Sequence, residues 1–96
     1  MGAAASVPIN GAALFTDPAT GTQAIVVQAT PGQFKAFSAL CTHRGCTVAY
    51  EGGELVCPCH GARFDASTGA VTQGPAQQPL APVSVQQGND GQLYAT

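Results

Sequence analysis

All four cysteines and both histidines of this 96-residue chain fall between Cys41 and His60, in the stretch CTHRGCTVAYEGGELVCPCH. That crowding constrains the fold more than any other feature. Two knots, Cys41-Thr42-His43-Arg44-Gly45-Cys46 and Cys57-Pro58-Cys59-His60-Gly61, flank a short insert. Each knot offers one cysteine–histidine pair and one further cysteine. For the two pairs to face one centre, the chain must turn back on itself between them. The insert reads as the hairpin that does this, with strands over Thr47–Tyr50 and Glu54–Val56 joined at Gly52-Gly53.

Soft thiolate and borderline imidazole donors suit zinc, copper or an iron–sulfur cluster rather than calcium or magnesium. Cys41, His43, Cys57 and His60 could bind zinc tetrahedrally. They could equally hold a [2Fe–2S] cluster, with two thiolates on one iron and two imidazoles on the other. Cys46 and Cys59 are left over symmetrically, one per knot. If the loops meet at a metal, those two are well placed for a disulfide, which is favoured over the alternative of two free buried thiols.

The rest of the chain reads as scaffold. Its length suits one domain, 1–96, without room for two cores. Much of the apolar content is alanine and valine, so the core is thin and gains from a metal or disulfide staple. Twelve glycines and seven prolines favour short strands and turns over long helices. Residues Gly2–Ser6 offer little to bury and read as a flexible lead-in. Val7-Pro8-Ile9 reads as the start of an edge strand, followed by a turn at Asn10-Gly11 and a short strand at Ala13-Leu14-Phe15. Gln23–Gln28 is β-branched and apolar, as a buried strand should be, and Pro31-Gly32 turns it into a hairpin with Gln33–Ala39. Arg63–Asp65 and Ala70–Thr72 are short strands around a turn at Ser67-Thr68-Gly69. Gly74-Pro75 and the following residues to Pro82 read as an irregular loop, because Pro79 and Pro82 cannot donate to a ladder. Val83–Gln87 and Gln92–Ala95 close the chain as a hairpin. The sum is an all-β sandwich or small barrel.

Charged residues are 8% of the chain and the net charge is −2, which argues against a nucleic-acid partner. No run of about 18 apolar residues is present, so no membrane span is expected here. Met1-Gly2 precedes small residues without a basic flank or an apolar run, so no signal peptide is read.

CTHRGC followed by CPCHG closely resembles the two boxes of Rieske iron–sulfur proteins, in the disulfide-bearing form of cytochrome bc complexes. The resemblance covers roughly residues 34–85. It implies an antiparallel β sandwich with a small cluster-binding subdomain and one [2Fe–2S] cluster. Cys41 and Cys57 would bind one iron, His43 and His60 the other, and Cys46 and Cys59 would form the family's disulfide. Loops 41–46 and 57–61 would then hold the cluster, and Pro58 and Gly61 match the second box. Gly74-Pro75 resembles the proline loop, at about 74–82, that covers one side of the cluster.

Two departures from the family pattern bear on function. Cytochrome bc members carry Ser and Tyr after the second box, whose hydroxyls bond to sulfurs of the centre; here those places hold Ala62 and Phe64. Lost donors should lower the potential, because such bonds favour the more negative reduced state. Arg44 stands where a leucine usually packs against the cytochrome partner, which argues against the same quinone-pocket docking. With Arg63 it forms a candidate basic rim for an acidic redox partner, or simply keeps the tip soluble.

The resemblance implies a soluble one-electron carrier, not an enzyme, passing electrons between a donor and an acceptor protein. Alternatives are a small Rieske subunit of a larger oxidoreductase, arsenite-oxidase-like or quinol-oxidising, and a zinc-stabilised binding module. A ferredoxin for an aromatic-ring dioxygenase fits less well, since that type lacks the extra cysteines. A disulfide implies oxidising surroundings. The expected location is therefore extracytoplasmic, periplasmic or cell-surface, with any anchoring segment outside these residues.

Charge counting gives a first test. Two ferric ions, two sulfides and two thiolates are formally neutral, and one added electron raises the pKa values of His43 and His60. Above the oxidised-state pKa, the midpoint potential should fall with pH, approaching ~59 mV per unit per proton for a one-electron couple. Voltammetry from neutral to strongly alkaline pH measures this, and a flat profile contradicts it.

Overall fold

Consecutive apolar residues in a strand need cover on both faces, and Ile25, Val26 and Val27 are all buried. The computed structural model, which describes residues 2–18, 20–40, 46–59, 61–74 and 78–95, supplies that cover with two flanking sheets. In chain order the elements are β1 (Gly2–Ala3), a 3-10 turn at Ala4–Ser6, β2 (Gly11–Thr16), β3 (Gln23–Thr30) and β4 (Gln33–Ser38). They continue with β5 (Ala49–Glu51), β6 (Glu54–Val56), β7 (Arg63–Asp65), β8 (Val71–Gln73), β9 (Pro82–Val83), β10 (Val85–Gln87) and β11 (Gln92–Ala95).

The middle sheet has the order β2-β3-β4-β9, and all its pairings are antiparallel. Ile25 lies opposite Phe37 and Val26 opposite Ala36. Because side chains alternate between faces, the first pair enters one core and the second pair the other. The first core joins Ile25, Val27 and Phe37 to Val48, Leu55, Cys57, Ala62, Phe64 and Leu80. It lies between the middle sheet and the meander β5-β6-β7-β8, the small subdomain that carries the second knot. The second core joins Val26 and Ala36 to Ala4, Val7 and Leu93, under the sheet β1-β11-β10. The fold is thus all-β and antiparallel, with the expected subdomain packed on one face.

Several local expectations change. Residues Gly2–Ser6 are no loose lead-in: Gly2 and Ala3 pair with Leu93 and Gln92, and Ala4 is buried. A Cβ on Gly2 would run into the Phe15 ring, so smallness here serves close packing. Val7-Pro8-Ile9 is not a strand. The Val7 carbonyl accepts a bond from Gln28 Nε2 at 2.7 Å, and Asn10, at φ 59°, completes a turn in which the Gly11 N–H donates to the Pro8 carbonyl. The buried Gln28 side chain thereby replaces a ladder partner.

The hairpin strands β2, β3 and β4 contain or nearly match their expected spans, and β6 and β7 match theirs. At the chain's end, Val83 leaves the expected hairpin with β11 and pairs with Ala36 instead. The chain switches sheets at Ser84. Pro82 enters that ladder rather than an irregular loop, on an edge strand where proline is tolerated.

Residues beyond the proline-rich stretch are sewn down on two sides. The Leu80 N–H donates to the Gly69 carbonyl at 2.9 Å, and the Ser38 N–H donates to the Ala81 carbonyl at 2.7 Å. Leu80 itself is 1% exposed. Gly69 sits at φ +78°, and a Cβ there would lie 2.9 Å from the Phe37 ring and 3.0 Å from the Leu80 carbonyl oxygen. Gly69→Ala should therefore destabilise the fold by about 2–4 kcal/mol, combining the left-handed penalty with overpacking. Urea unfolding measures it, and an unchanged midpoint contradicts the packing argument.

Candidate metal centre

The first knot is closed at its neck by the backbone. β4 ends at Ser38; Leu40 and Thr47 form an isolated antiparallel bridge, and the Val48 N–H donates to the Ala39 carbonyl at 2.8 Å. Ala39 in turn donates to the Gln23 carbonyl at 3.0 Å, which ties the neck to β3. Cys41, His43 and Arg44 lie outside the described residues.

The second knot is a tight reversal between β6 and β7. The Gly61 N–H donates to the Cys57 carbonyl at 2.9 Å, and the Cys57 N–H donates to the Ala62 carbonyl at 2.8 Å. Gly61 holds φ +74°, a left-handed conformation that glycine adopts without a side-chain penalty. His60 lies outside the described residues. The insert forms the β5–β6 hairpin, with φ of 54° at Gly52 and 90° at Gly53, as a primed two-residue turn requires. That hairpin brings both necks to one end of the subdomain.

A disulfide joins Cys46 to Cys59, with Cα atoms 6.4 Å apart and a sequence separation of 13. In the chain-entropy account, closing a loop of this length contributes about 3 kcal/mol by constraining the unfolded state. The favoured pairing is the one formed, and the alternative of two free thiols at these positions is set aside. Cys57 takes no part in the bridge and is 0% exposed. The sulfurs of Cys46, Cys57 and Cys59 all lie within 4.8 Å of one another.

This arrangement fits the donor set that a thiophilic metal group needs. The disulfide removes Cys46 and Cys59 as thiolate donors and leaves Cys57 as the buried sulfur of the second knot. A buried thiolate among apolar residues is costly unless a cation neutralises it. Cys41, His43 and His60, the other donors read from sequence, lie outside the described residues.

The surroundings of Cys57 are apolar. Ala62 and Phe64 are both 0% exposed and share its core with Leu55 and Val48. Neither carries a hydroxyl, so neither side chain can donate a hydrogen bond to a sulfur. Arg63 is tied back along the meander: its Nη1 donates to Glu54 Oε1 at 3.1 Å, while Glu54 Oε2 accepts the Thr72 hydroxyl at 2.8 Å. The Thr72 bond first, and then Arg63, hold the Glu54 carboxyl below its ordinary range. The expected basic rim therefore loses Arg63, whose charge is matched locally; Arg44 was its other member.

Asp65 ends β7 and holds the turn that follows it. Its Oδ1 accepts from the Ser67 N–H at 2.7 Å and the Thr68 N–H at 3.2 Å, and the Ser67 hydroxyl bond lowers its pKa most. Leu80 and Gly69 were not singled out as supports of the site. One apolar residue among prolines was the available signal for Leu80. Pro75 lies outside the described residues.

The chain is similar to known proteins over most of its length. A family model described as Rieske [2Fe-2S] domain matches residues 2–87. A putative respiratory nitrate reductase subunit Rieske of Haloferax mediterranei is 43% identical over 65 residues, 66% of this chain and 30% of the relative. A cytochrome b6-f complex iron-sulfur subunit of a Synechococcus strain is 47% identical over 55 residues, 55% of this chain and 30% of the relative. The chain thus spans less than a third of the length of these relatives. Among solved structures, the cyanobacterial plasma membrane Rieske protein PetC3 from Synechocystis PCC 6803 superposes with a TM-score of 0.83 at 33% identity. That match covers 99% of this chain and 95% of the other. No helix among the described residues is long and apolar enough to cross a membrane.

Proposed function

The chain belongs to the Rieske [2Fe-2S] domain family, and on that premise we propose that it is a one-electron carrier whose cluster is held by Cys41, His43, Cys57 and His60. When bound, the [2Fe–2S] cluster supplies a centre that accepts and returns single electrons. The protein's own residues make no and break no substrate bond. The observation that carries the reading is Cys57, fully buried beside a disulfide that joins the two knots. A zinc-stabilised module would use the same donors, but the family match favours iron and sulfide.

In this reading the whole of residues 1–96 serves as one Rieske domain, with cluster loops 41–46 and 57–61 and a covering loop at about 74–82. Cys57 contributes a thiolate fixed by its two backbone bonds and shielded from water by Leu55, Ala62 and Phe64. By the family resemblance Pro75 would belong to the covering loop, and Arg44 is part of the first cluster loop in sequence. His43 and His60 would form the face presented to partners, and the proton coupling described above resides on them.

The partners are redox proteins, a donor and an acceptor. Two relatives bear names of subunits of larger assemblies, a nitrate reductase and a cytochrome b6-f complex. That supports the second reading, in which this chain is the Rieske portion of a comparable oxidoreductase. The disulfide and the likeness to a plasma membrane Rieske protein support an extracytoplasmic location, with anchoring by another segment.

Ala62 and Phe64 set the direction of the potential. A hydroxyl donating to a sulfur bonds more strongly to the reduced, more negative state, by roughly 1 kcal/mol, or about 40 mV for one electron. A redox titration followed by electron spin resonance should give a one-electron midpoint within the roughly −150 to +300 mV span of Rieske centres. Ala62→Ser and Phe64→Tyr should each raise it by about that increment. A protein with no reducible centre contradicts the function, and midpoints that stay level or fall in both variants contradict the assigned surroundings.

A further inference from the structure

The middle sheet ends on β2, and that edge lacks the usual protections. Sheets guard their edges with short strands, charges, prolines or bulges. The other edge strands follow this rule. β1 and β9 have two residues each, and β5, β8 and β10 have three; β5 ends on Glu51 and β9 begins with Pro82. β2 is six residues long, carries no charge and no proline, and runs against β3 without a bulge.

Hydrogen-bond alternation identifies the groups that this edge presents. The Asp17 N–H donates to the Thr22 carbonyl at 2.7 Å, so the bonded pairs further along the ladder are Phe15 with Ala24 and Ala13 with Val26. The Ala39 bond to the Gln23 carbonyl gives the same phase from the other side of β3, because it turns Gln23 and Ile25 toward β4. The N–H and C=O groups of Ala12, Leu14 and Thr16 therefore point away from β3. Leu14 is 44% exposed and borders an apolar groove of about 520 Å³, together with Pro8, Ala12, Val48, Ala49 and Tyr50.

We infer that this edge pairs with the same edge of a second copy, antiparallel, about a two-fold axis at Leu14. The edge is complementary to itself. In that register Leu14 meets Leu14 and Ala12 meets Thr16, so each outward N–H finds an outward C=O. Asp17, at the end of the strand, falls opposite Gly11 and meets no like charge. A charged foreign strand would find nothing on this edge to answer its charges. The two Leu14 side chains lie side by side and close both grooves. The short β9, with its proline, stops the joined sheets from growing further. Six residues at ~3.4 Å each give about 20 Å of contact, at the low end of specific interfaces, so the pair forms and dissociates with concentration.

Sedimentation velocity on the holoprotein tests this. The mean polypeptide mass should rise from 9.6 kDa toward twice that value between roughly 10 μM and 1 mM. Leu14→Lys and Leu14→Glu each set like charges together at the axis and should weaken association by at least about tenfold; an equimolar mixture of the two should restore it. Residue-resolved amide exchange supplies a second reading on the unaltered protein. Ala12, Leu14 and Thr16 should slow as concentration rises, while Ala13 and Phe15 stay protected throughout. A mass that remains monomeric over that range overturns the inference, and edge amides protected only after a foreign protein is added would assign the edge to that protein instead. A dimer that survives both single variants, a mixture that fails to recover, or exchange that slows equally along β2 also overturns it.

Discussion

The Cys46–Cys59 disulfide closes two loops that secondary structure brings close but does not join. On one side, the Leu40–Thr47 bridge and the Val48–Ala39 bond pinch the first knot. On the other, Gly61 allows the chain to reverse tightly beneath Cys57. Neither neck alone determines how far apart the loops stand. The covalent link does, at an entropic gain of about 3 kcal/mol, a large share of the stability of a domain this small. With a core built largely from alanine and valine, such a staple matters more than it would in a leucine-rich chain.

Beneath that link, the middle sheet works as a platform. β3 and β4 are buried on both faces, so the meander carrying the second knot and the sheet closed by β1 and β11 rest on opposite sides of the same strands. The first core runs without interruption from Ile25 and Phe37 to Leu55, Cys57 and Phe64. A displacement of the meander would therefore expose apolar surface and shift the buried sulfur together. Gly69 and Leu80 extend the same coupling to the chain that returns from the proline-rich stretch.

Much of this was legible in residues, for identifiable reasons. Gly52-Gly53 and the two knots punctuate the chain so sharply that β6 and β7 have the bounds read from sequence. The division of four cysteines into ligands and clamp came from the resemblance, and the bridge between Cys46 and Cys59 agrees with it. What escaped depends on contacts between distant residues. Gly2 is small because Phe15 packs over it, Val83 deserts its hairpin because β4 has an open edge, and Arg63 is neutralised by Glu54 one strand away. None of these has a local signature. Cys41, His43, Arg44, His60 and Pro75 lie outside the described residues, so their roles rest on motif and family.

The mixed ligand set is the centre of the account. Electron–nuclear double resonance on the reduced protein, with iron and sulfide counted per chain, tests it most directly. The account predicts two irons, two sulfides and strong coupling to two imidazole nitrogens, which only histidine ligation supplies. Zinc without iron, or an iron–sulfur centre lacking nitrogen coupling, would contradict it.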